Sequence, residues 1–468
     1  MSSANHALKR ELKLADLVLL QVILIVGLNF IGYAAKQGPT HVVLWLLAMV
    51  LFYVPLAVAV MNLSRALPLE GGVYQWVKVG ISPFAGYMAG WFLTIYIICY
   101  SASYGSQLAE AFAFVGGRKY GWLGTTQWFP LLFMILFCGL AFVLNVRGLH
   151  AAKRLSSAGS LLVIALVLVL LYLLLKSPGT LKPSAGVTLS HARPGFSMFT
   201  LNVFTKMALF ALSGFEQCAV FTEECRKPKN DVARSVLIAA PLIALIYIIS
   251  TYALLAYIAP SKVDVAAPLS QALQAGFGYT WMGRALTALA VGAYAVVQVA
   301  TLVVVVGMVA RLPMVAGWDG LLPIWWSELD PQSRVPTKAI GAVAVTLMVM
   351  SALSLLGAHN QEAVQVLSAV GFGGYCLMYL LMFGAILFGF RSTAWRPGIA
   401  IRMAALAALS VVLVSLGFEL IPVGEVANPL LFAIKVTGGI SAVSGAGAYL
   451  YRRGILRRSA TAPGAELV

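Results

Sequence analysis

The sequence carries little charge for its length. Only 10% of its 468 residues are Asp, Glu, Lys or Arg, whereas 61% are hydrophobic and the mean hydropathy is +0.91. A soluble protein of this size needs far more charge to cover its surface, so this class is excluded. Apolar runs of about 20 residues suit membrane helices rather than the strands of a barrel. The composition therefore predicts an all-α polytopic membrane protein.

Cysteine and histidine are also scarce, with five of each. The cysteines lie in or beside apolar runs at no metal-like spacing, and the histidines are dispersed along the chain. We therefore expect no metal site, no cofactor, no structural disulfide and no enzyme activity. The nucleotide-binding pattern Gly-x-x-x-x-Gly-Lys-Ser/Thr is absent, which excludes self-contained ATP drive. No filter-like sequence or repeated charged ring indicates a channel.

Twelve apolar runs are long enough to cross a membrane. We number them spans 1 to 12 and predict them at residues 14–37, 42–65, 82–115, 128–147, 153–176, 199–223, 232–258, 280–311, 337–357, 362–390, 397–419 and 428–452. Spans 3 and 8 exceed a straight crossing, so we expect them to tilt or protrude. The predicted divisions are a tail at 1–13, a transmembrane core at 14–390, spans 11 and 12 within 391–452, and a tail at 453–468. No soluble domain is expected.

Acidic residues are half as frequent as basic ones, 16 against 32, which gives a net charge of +16. The basic residues are scattered over short loops, and 22 of the 32 flank the same side of the twelve spans. This asymmetry predicts that both termini lie in the cytoplasm and that the protein spans the inner membrane. It also accounts for the positive charge without a nucleic-acid partner.

Two spans carry residues that weaken a helix at mid-depth. Span 1 contains Gly27, Asn29 and Gly32, and span 6 contains Ser213-Gly214. An interrupted membrane helix exposes backbone groups that can hold a polar substrate. Spans 1 and 6 would each begin a set of five spans. Because five is odd, the two sets must enter the membrane from opposite sides. The alternative is that these glycines only permit close helix packing.

Three segments resemble the amino acid–polyamine–organocation permeases. Residues 64–76 contain Pro-x-Glu-Gly-Gly-x-Tyr, and residues 210–228 contain Gly-Phe-Glu followed by Glu-Glu-x-x-x-Pro. Residues 310–336 contain Arg-Leu-Pro, Asp-Gly-Leu-Leu-Pro and Val-Pro. These segments occur in the order that the family shows, and the resemblance extends from about residue 14 to 340.

The resemblance implies a LeuT-like 5+5 inverted repeat with interrupted helices 1 and 6, and with helices 11 and 12 outside the repeat. It implies a secondary transporter that moves an amino acid by alternating access, through proton-coupled symport or exchange. A polyamine or another organic amine is the alternative substrate. The expected partners are this small molecule and the lipid bilayer, and the protein is a monomer or homodimer. Residues 116–127 contain no cysteine, so no disulfide-linked partner is expected.

The resemblance also assigns candidate substrate-binding residues on three spans. The span-1 break of the family usually ends in Gly-Ser-Gly, whereas this chain reads Gly32-Tyr33-Ala34, which is expected to reshape the site. In span 6, Phe210 occupies the position of an aromatic gate, and the following residues offer backbone carbonyls. The full set of candidates is Asn29, Ile31, Gly32, Tyr33, Ala34, Tyr100, Phe210, Ala211, Leu212, Ser213 and Gly214.

Two charged residues of span 6 have a functional and a structural interpretation. Glu216 either caps the interrupted helix or accepts a proton during gating, because an intramembrane carboxylate is costly to keep charged. Lys206 either extends towards the outer surface, or attracts an anionic substrate or pairs with Glu110. Some relatives carry a lysine on span 5, at a position near Val163 here, and Thr301 alone is little support for a sodium site. Uncoupled exchange therefore stays open.

Overall fold

The structure is a computed structural model. It describes residues 10–116, 121–123, 126–177, 195, 197–264, 267–355, 360–391, 395–422 and 428–461. The predicted loop at 177–198 and most of both tails lie outside the described residues. Within the described part the chain is helical, and β-structure is limited to one bridge between Leu12 and Cys225.

Eighteen α-helices occur in the described residues. In chain order they are α1 (Leu14–Ile25), α2 (Phe30–Ala35), α3 (His41–Ala48), α4 (Val54–Ala66), α5 (Val73–Gly80), α6 (Pro83–Ser101), α7 (Tyr104–Gly116), α8 (Trp128–Val146), α9 (Leu149–Lys176), α10 (Met198–Thr205), α11 (Phe215–Cys218), α12 (Pro228–Leu255), α13 (Pro268–Phe277), α14 (Trp281–Trp318), α15 (Thr337–Leu355), α16 (Asn360–Phe388), α17 (Ile399–Phe418) and α18 (Pro429–Thr461). Wider π-helical turns cover Met49–Tyr53 and Lys206–Ala211, and 3-10 turns cover Gly38–Thr40, Ala219–Glu224, Pro260–Lys262 and Ile324–Trp326.

Ten helical segments of the described part are long and apolar enough to cross a membrane. Two shorter apolar helices, Leu14–Ile25 and Thr337–Leu353, coincide with predicted spans 1 and 9. Large apolar side chains remain exposed along the outer helices, for example Leu161 and Leu168 on α9 and Leu413 on α17. Such an apolar exterior is adapted to lipid rather than to water. The protein is therefore a polytopic helical membrane protein.

Local sequence signals fix several helix starts. The Ser82 hydroxyl accepts a hydrogen bond from the Ala85 amide at 3.2 Å, and Pro83 occupies the first turn of α6. The hydroxyls of Ser197 and Thr280 cap α10 and α14 in the same way. A side-chain oxygen at this position satisfies an amide that the helix itself leaves unpaired. These helices start within a residue of the predicted starts of spans 3, 6 and 8.

The structure departs from the predicted spans in three places. Span 3, predicted as one run over residues 82–115, is interrupted at residues 102–103, between α6 and α7. Short helices α5 and α13 occupy segments predicted as loops, because each has one apolar face against the bundle. The last helix continues to Thr461, beyond residue 452, since its arginine-rich end still favours helix once it leaves the apolar layer.

The interrupted helices lie at the centre of the bundle. Helix α1 packs against α9, α12 and α14, and all four residues of α11 are buried. Helix α16 lies along α6 and α17 and closes the opposite side of the central region. This arrangement places the middle of spans 1 and 6 away from lipid, where a break in a helix is tolerated.

Candidate functional site

The first helix unwinds at residues 26–29, between α1 and α2. The Tyr247 hydroxyl of α12 accepts a hydrogen bond from the Gly27 amide at 3.0 Å and donates one to the Ile25 carbonyl at 2.8 Å. A side chain at Gly27 would meet the Phe30 ring at 2.9 Å. One tyrosine from another span therefore satisfies both backbone groups at a point where only glycine fits.

This position corrects the predicted span-1 break. Gly32, Tyr33 and Ala34 lie within helix α2, one turn beyond the unwound segment, and Ile31 is in the same helix. Ala34 is helical and has no positive φ, so it does not form the end of a break. The unwinding occurs upstream because Gly27 and the Tyr247 hydroxyl allow it there. Of the candidate substrate-binding residues of span 1, Asn29 alone belongs to the break, which also contains the helix-weakening Gly27.

The sixth span is interrupted at the predicted Ser213-Gly214. The wide turn Lys206–Ala211 ends in non-helical residues 212–214, and α11 begins at Phe215. Gly214 has a φ of +124°, a backbone conformation that residues other than glycine rarely adopt. A Cβ built on Gly214 would lie 2.8 Å from Cγ1 of Ile25, at the end of α1. The two breaks are therefore in direct contact.

A cavity of about 30 Å³ lies beside the two breaks. Its walls come from both breaks and from α6, α7 and α14, and they include Asn29, Gln107, Ser213, Tyr294, Gln298 and Thr301 as polar residues. Further aromatic rings in the lining come from Phe30, Tyr96, Tyr100, Tyr104 and Phe210. Among the described residues around it there is no Asp, Glu, Lys or Arg. In this conformation the space fits one or two water molecules.

The polar wall is a hydrogen-bonded chain of neutral side chains. Asn29 accepts a hydrogen bond from the Tyr294 hydroxyl at 3.1 Å and donates one to the Gln107 side-chain oxygen. The Gln298 amide donates to the same Gln107 oxygen at 3.3 Å, and Gln107 donates to the Ser103 hydroxyl at 2.9 Å. Such neutral groups can orient a polar ligand, but they cannot balance a net charge.

Aromatic rings and a buried ion pair cover the cavity on the α10 side. The ring centroids of Phe210 and Phe372 are 3.7 Å apart. The Lys206 ammonium lies 4.9 Å from the Phe210 centroid and forms an ion pair with Glu419, at the end of α17. Both charged side chains are at least nine-tenths buried. Lys206 thus pairs with Glu419 rather than with Glu110, and it does not reach the outer surface.

Glu216 is fully buried on the other side of the span-6 break. The Tyr375 hydroxyl donates a hydrogen bond to its Oε1 and accepts one from Tyr379 at 3.0 Å. The second oxygen, Oε2, has no hydrogen-bond partner in the part of the chain that the structure describes. Tyr375 also stacks on Tyr96, at 3.8 Å between centroids, and Tyr96 stacks on Tyr100 at the cavity. Aromatic contacts therefore connect the carboxylate to the cavity wall.

A second buried charge cluster closes the end of the bundle where α14 and the 3-10 turn after α11 meet. Arg311 donates from Nε to Glu224 at 2.7 Å, and the Glu223 amide donates to Glu70 at 2.7 Å. Burial and the nearby Glu224 carboxylate raise the pKa of Glu70 well above its usual range. The chain preceding α1 also seals this end, because the amides of Glu11 and Leu12 each donate to the Glu224 carbonyl at 3.0 Å.

The structure brings together only some of the predicted substrate residues. Asn29, Tyr100, Phe210 and Ser213 line the cavity, whereas Ile31, Gly32, Tyr33, Ala34, Ala211, Leu212 and Gly214 do not. The assignments of the second group stay predictions. Residues not proposed for the site from the sequence are Phe30, Tyr247, Phe372, Tyr375 and Glu419. Glu419 could have been proposed from the sequence, because it is a carboxylate within an apolar run. No neighbouring residue in the sequence indicates a role for Tyr247.

Comparison of the sequence with known protein families identifies one family. The profile of the amino acid permease family matches residues 12–440. The chain belongs to the amino acid permease family. It is a transporter, not an enzyme.

Similar proteins occur in several bacteria. An uncharacterized transporter of Legionella pneumophila is 25% identical, over 81% of each chain. The branched-chain amino acid permease BcaP of Lactococcus lactis is 26% identical, over 69% of this permease and 70% of that one. The probable agmatine/putrescine antiporter AguD of Lactococcus lactis is 23% identical, over 55% of each. The relatives thus include proteins named for amino acids and for amines.

Proposed function

We propose that this permease moves an amino acid across the cytoplasmic membrane by alternating access. The observation that carries the proposal is the contact of two interrupted helices beside a cavity without charged side chains. An α-amino acid carries opposite charges on adjacent groups. Partial charges at the helix interruptions can bind both of these without a fixed charge on the protein. Asn29, Tyr100, Phe210 and Ser213 are the proposed first contacts.

The proposed architecture is the LeuT-like 5+5 inverted repeat with twelve spans. In it, α1 and α2 form span 1, and α10 and α11 with their wide turn form span 6. The proposed orientation has both termini in the cytoplasm, because Arg311 and the arginines at the end of α18 then lie on the inner side. The Arg311 cluster is the inner closure, and the Phe210–Phe372 contact is the outer closure.

The cavity must enlarge before it can hold an amino acid. At about 30 Å³ it has no room for one, and the rings of Phe30, Tyr100 and Phe210 occupy the adjacent space. We therefore assign Phe210 and its neighbour Phe372 to gating. Lys206 holds this gate, since its ammonium contacts both rings and is paired with Glu419. Rotation of the rings, rather than of the whole bundle, is the smallest motion that admits substrate.

An organic amine is the second candidate substrate. The aromatic rings in the cavity lining favour a cation, because an ammonium is attracted to the face of an aromatic ring. The lack of an acidic residue in the lining disfavours a polyamine with several charges. A single ammonium accompanied by a carboxylate fits both observations better. The amino acid is therefore the preferred substrate class.

A binding and exchange assay tests the proposal. Purified protein is screened by thermal shift against the standard amino acids and common amines, and the best compound is loaded into proteoliposomes for counterflow. We expect an amino acid to raise the melting temperature and to drive uptake of its labelled form. Protein-free liposomes are the control. A chain that neither binds nor exchanges any amino acid contradicts the proposal, and exchange of an amine alone favours the second candidate.

Glu216 is the proposed proton acceptor if transport is coupled to protons. Uptake by wild type is expected to vary with pH, and uptake by Glu216→Gln is expected to be nearly independent of pH, since the amide cannot titrate. Glu328→Gln is the matched control, because it removes a carboxylate from the exposed Lys338–Glu328 pair, and it should keep the wild-type profile. If Glu216→Gln also keeps that profile, Glu216 has only a structural role and exchange without protons is favoured.

A further inference from the structure

A second cavity, of about 450 Å³, lies apart from the transport site. It is enclosed by α6, α15, α18 and the end of α14 with the turn that follows, and it shares no residue with the lining of the smaller cavity. Its volume is about that of a site for a drug-sized molecule. The transport function described above leaves this cavity without a role.

The cavity opens towards the lipid-facing side of the bundle. Helix α6 packs against both α15 and α18, whereas α15 and α18 make few contacts with each other. Thr346 of α15 lines the cavity and is exposed, next to the exposed Val345 and near the exposed Val349. A gap between two apolar helix faces at this position admits molecules from the hydrocarbon layer rather than from water.

The interior of the cavity is apolar. Ile95, Ile98 and Val343 contribute aliphatic surface, and Trp91 and Trp326 contribute indole rings. The Trp91 ring is held in place, since its Nε1 donates a hydrogen bond to the Val443 carbonyl at 2.9 Å. A preformed apolar space of this kind suits an acyl chain.

The lining becomes cationic at one end. Arg453 and Arg457 lie one helical turn apart on α18 and both line the cavity. Arg452 and Arg458 carry the same charge on the same helix end. Guanidinium groups bind phosphate oxygens through paired hydrogen bonds, and basic pockets between membrane helices are suited to anionic lipid headgroups. An apolar space that ends in two arginines thus matches the two parts of a phospholipid.

We propose that this cavity binds an anionic glycerophospholipid from the bilayer. One acyl chain enters between α15 and α18 and lies against Trp91 and Trp326, while Arg453 and Arg457 hold the phosphate. Free phosphate would use the arginines but not the apolar space, and a neutral lipid would use the apolar space but not the arginines. An anionic phospholipid uses both the apolar space and the arginines.

The test is native mass spectrometry of the full chain titrated with phosphatidylglycerol or phosphatidylcholine. We expect wild type to bind phosphatidylglycerol at least about tenfold more tightly than phosphatidylcholine, because two arginines attract the anionic headgroup. The double variant Arg453→Gln/Arg457→Gln is expected to lose this preference. The matched control is Arg452→Gln, which removes the same charge from the same helix end outside the cavity lining, and it should bind within about twofold of wild type.

A second variant tests the cavity separately from the charge. Thr346→Trp keeps both arginines and fills the opening, so it is expected to lower phosphatidylglycerol binding at least about tenfold if the chain enters there. Gel filtration reports whether each variant remains folded. Equal binding of the two lipids by wild type overturns the proposal. So does an effect of Arg452→Gln as large as that of the double variant, or full binding by Thr346→Trp.

Discussion

Gly214→Ala is expected to reduce transport to background. The backbone of Gly214 has a φ of +124°, and an alanine Cβ would lie 2.8 Å from Cγ1 of Ile25. Strain in such a conformation costs about 1–3 kcal/mol, and overpacking adds a similar amount. Relief of either requires movement of the span-6 break or of the end of α1, and both of these border the cavity. Counterflow in proteoliposomes measures the effect.

Gly139→Ala is the matched control for this substitution. Gly139 lies in the exposed face of α8, and a Cβ there meets nothing within 4 Å. The control should transport like wild type, since alanine is at least as favourable as glycine in a helix. Normal transport by Gly214→Ala would show that the break does not need its observed geometry.

Arg311→Gln is expected to destabilise the protein by about 3–5 kcal/mol, because it leaves a buried carboxylate without its cation. The Arg311 and Glu224 side chains are 4% and 3% exposed, and Glu70 is buried beside them. The glutamine removes the positive charge and keeps a polar side chain, so loss of the ion pair dominates the effect. Equilibrium unfolding in mixed micelles, with the melting temperature as a second readout, measures the change.

The exposed pair Lys338–Glu328 is the control for Arg311. Its side chains are 61% and 44% exposed, so Lys338→Gln should cost no more than about 1 kcal/mol. Arg311→Gln/Glu224→Gln removes both charges and should regain much of the stability while transport stays impaired, since the inner closure is altered. If Arg311→Gln is as stable as the Lys338 variant, the cluster is not a buried electrostatic link.

The sequence predicted the features of the fold that depend on local composition. Apolar runs located the membrane helices, and Ser213-Gly214 located the span-6 break, because glycine and serine weaken a helix wherever they occur. The resemblance placed the end of the span-1 break too far along the chain, at Gly32-Tyr33-Ala34. Gly32 and Gly27 are equivalent as local signals, and the choice depends on the Tyr247 hydroxyl, which is 220 residues away in sequence from Gly27.

The sequence did not reveal which side chains pair with the buried charged residues of span 6. Glu419 pairs with Lys206 across 213 residues, and Tyr375 reaches Glu216 across 159. An intramembrane charge indicates that a partner exists, but only the packing of α17 against the wide turn of span 6 identifies it. Span 3 itself gave no clear sign that it would be interrupted before Tyr104.

The central claim is that substrate binds at the contact of the two breaks, and substrate protection of a cysteine at Ser213 tests it most directly. Ser213→Cys is made in a chain whose five native cysteines are replaced, and its rate of alkylation is measured with and without the compound found by the binding screen. We predict that substrate at about ten times its Kd slows the reaction about tenfold, in line with occupancy. A cysteine at the exposed Gln332 should react at the same rate in both conditions. Equal alkylation of Ser213→Cys with and without bound substrate would contradict the account.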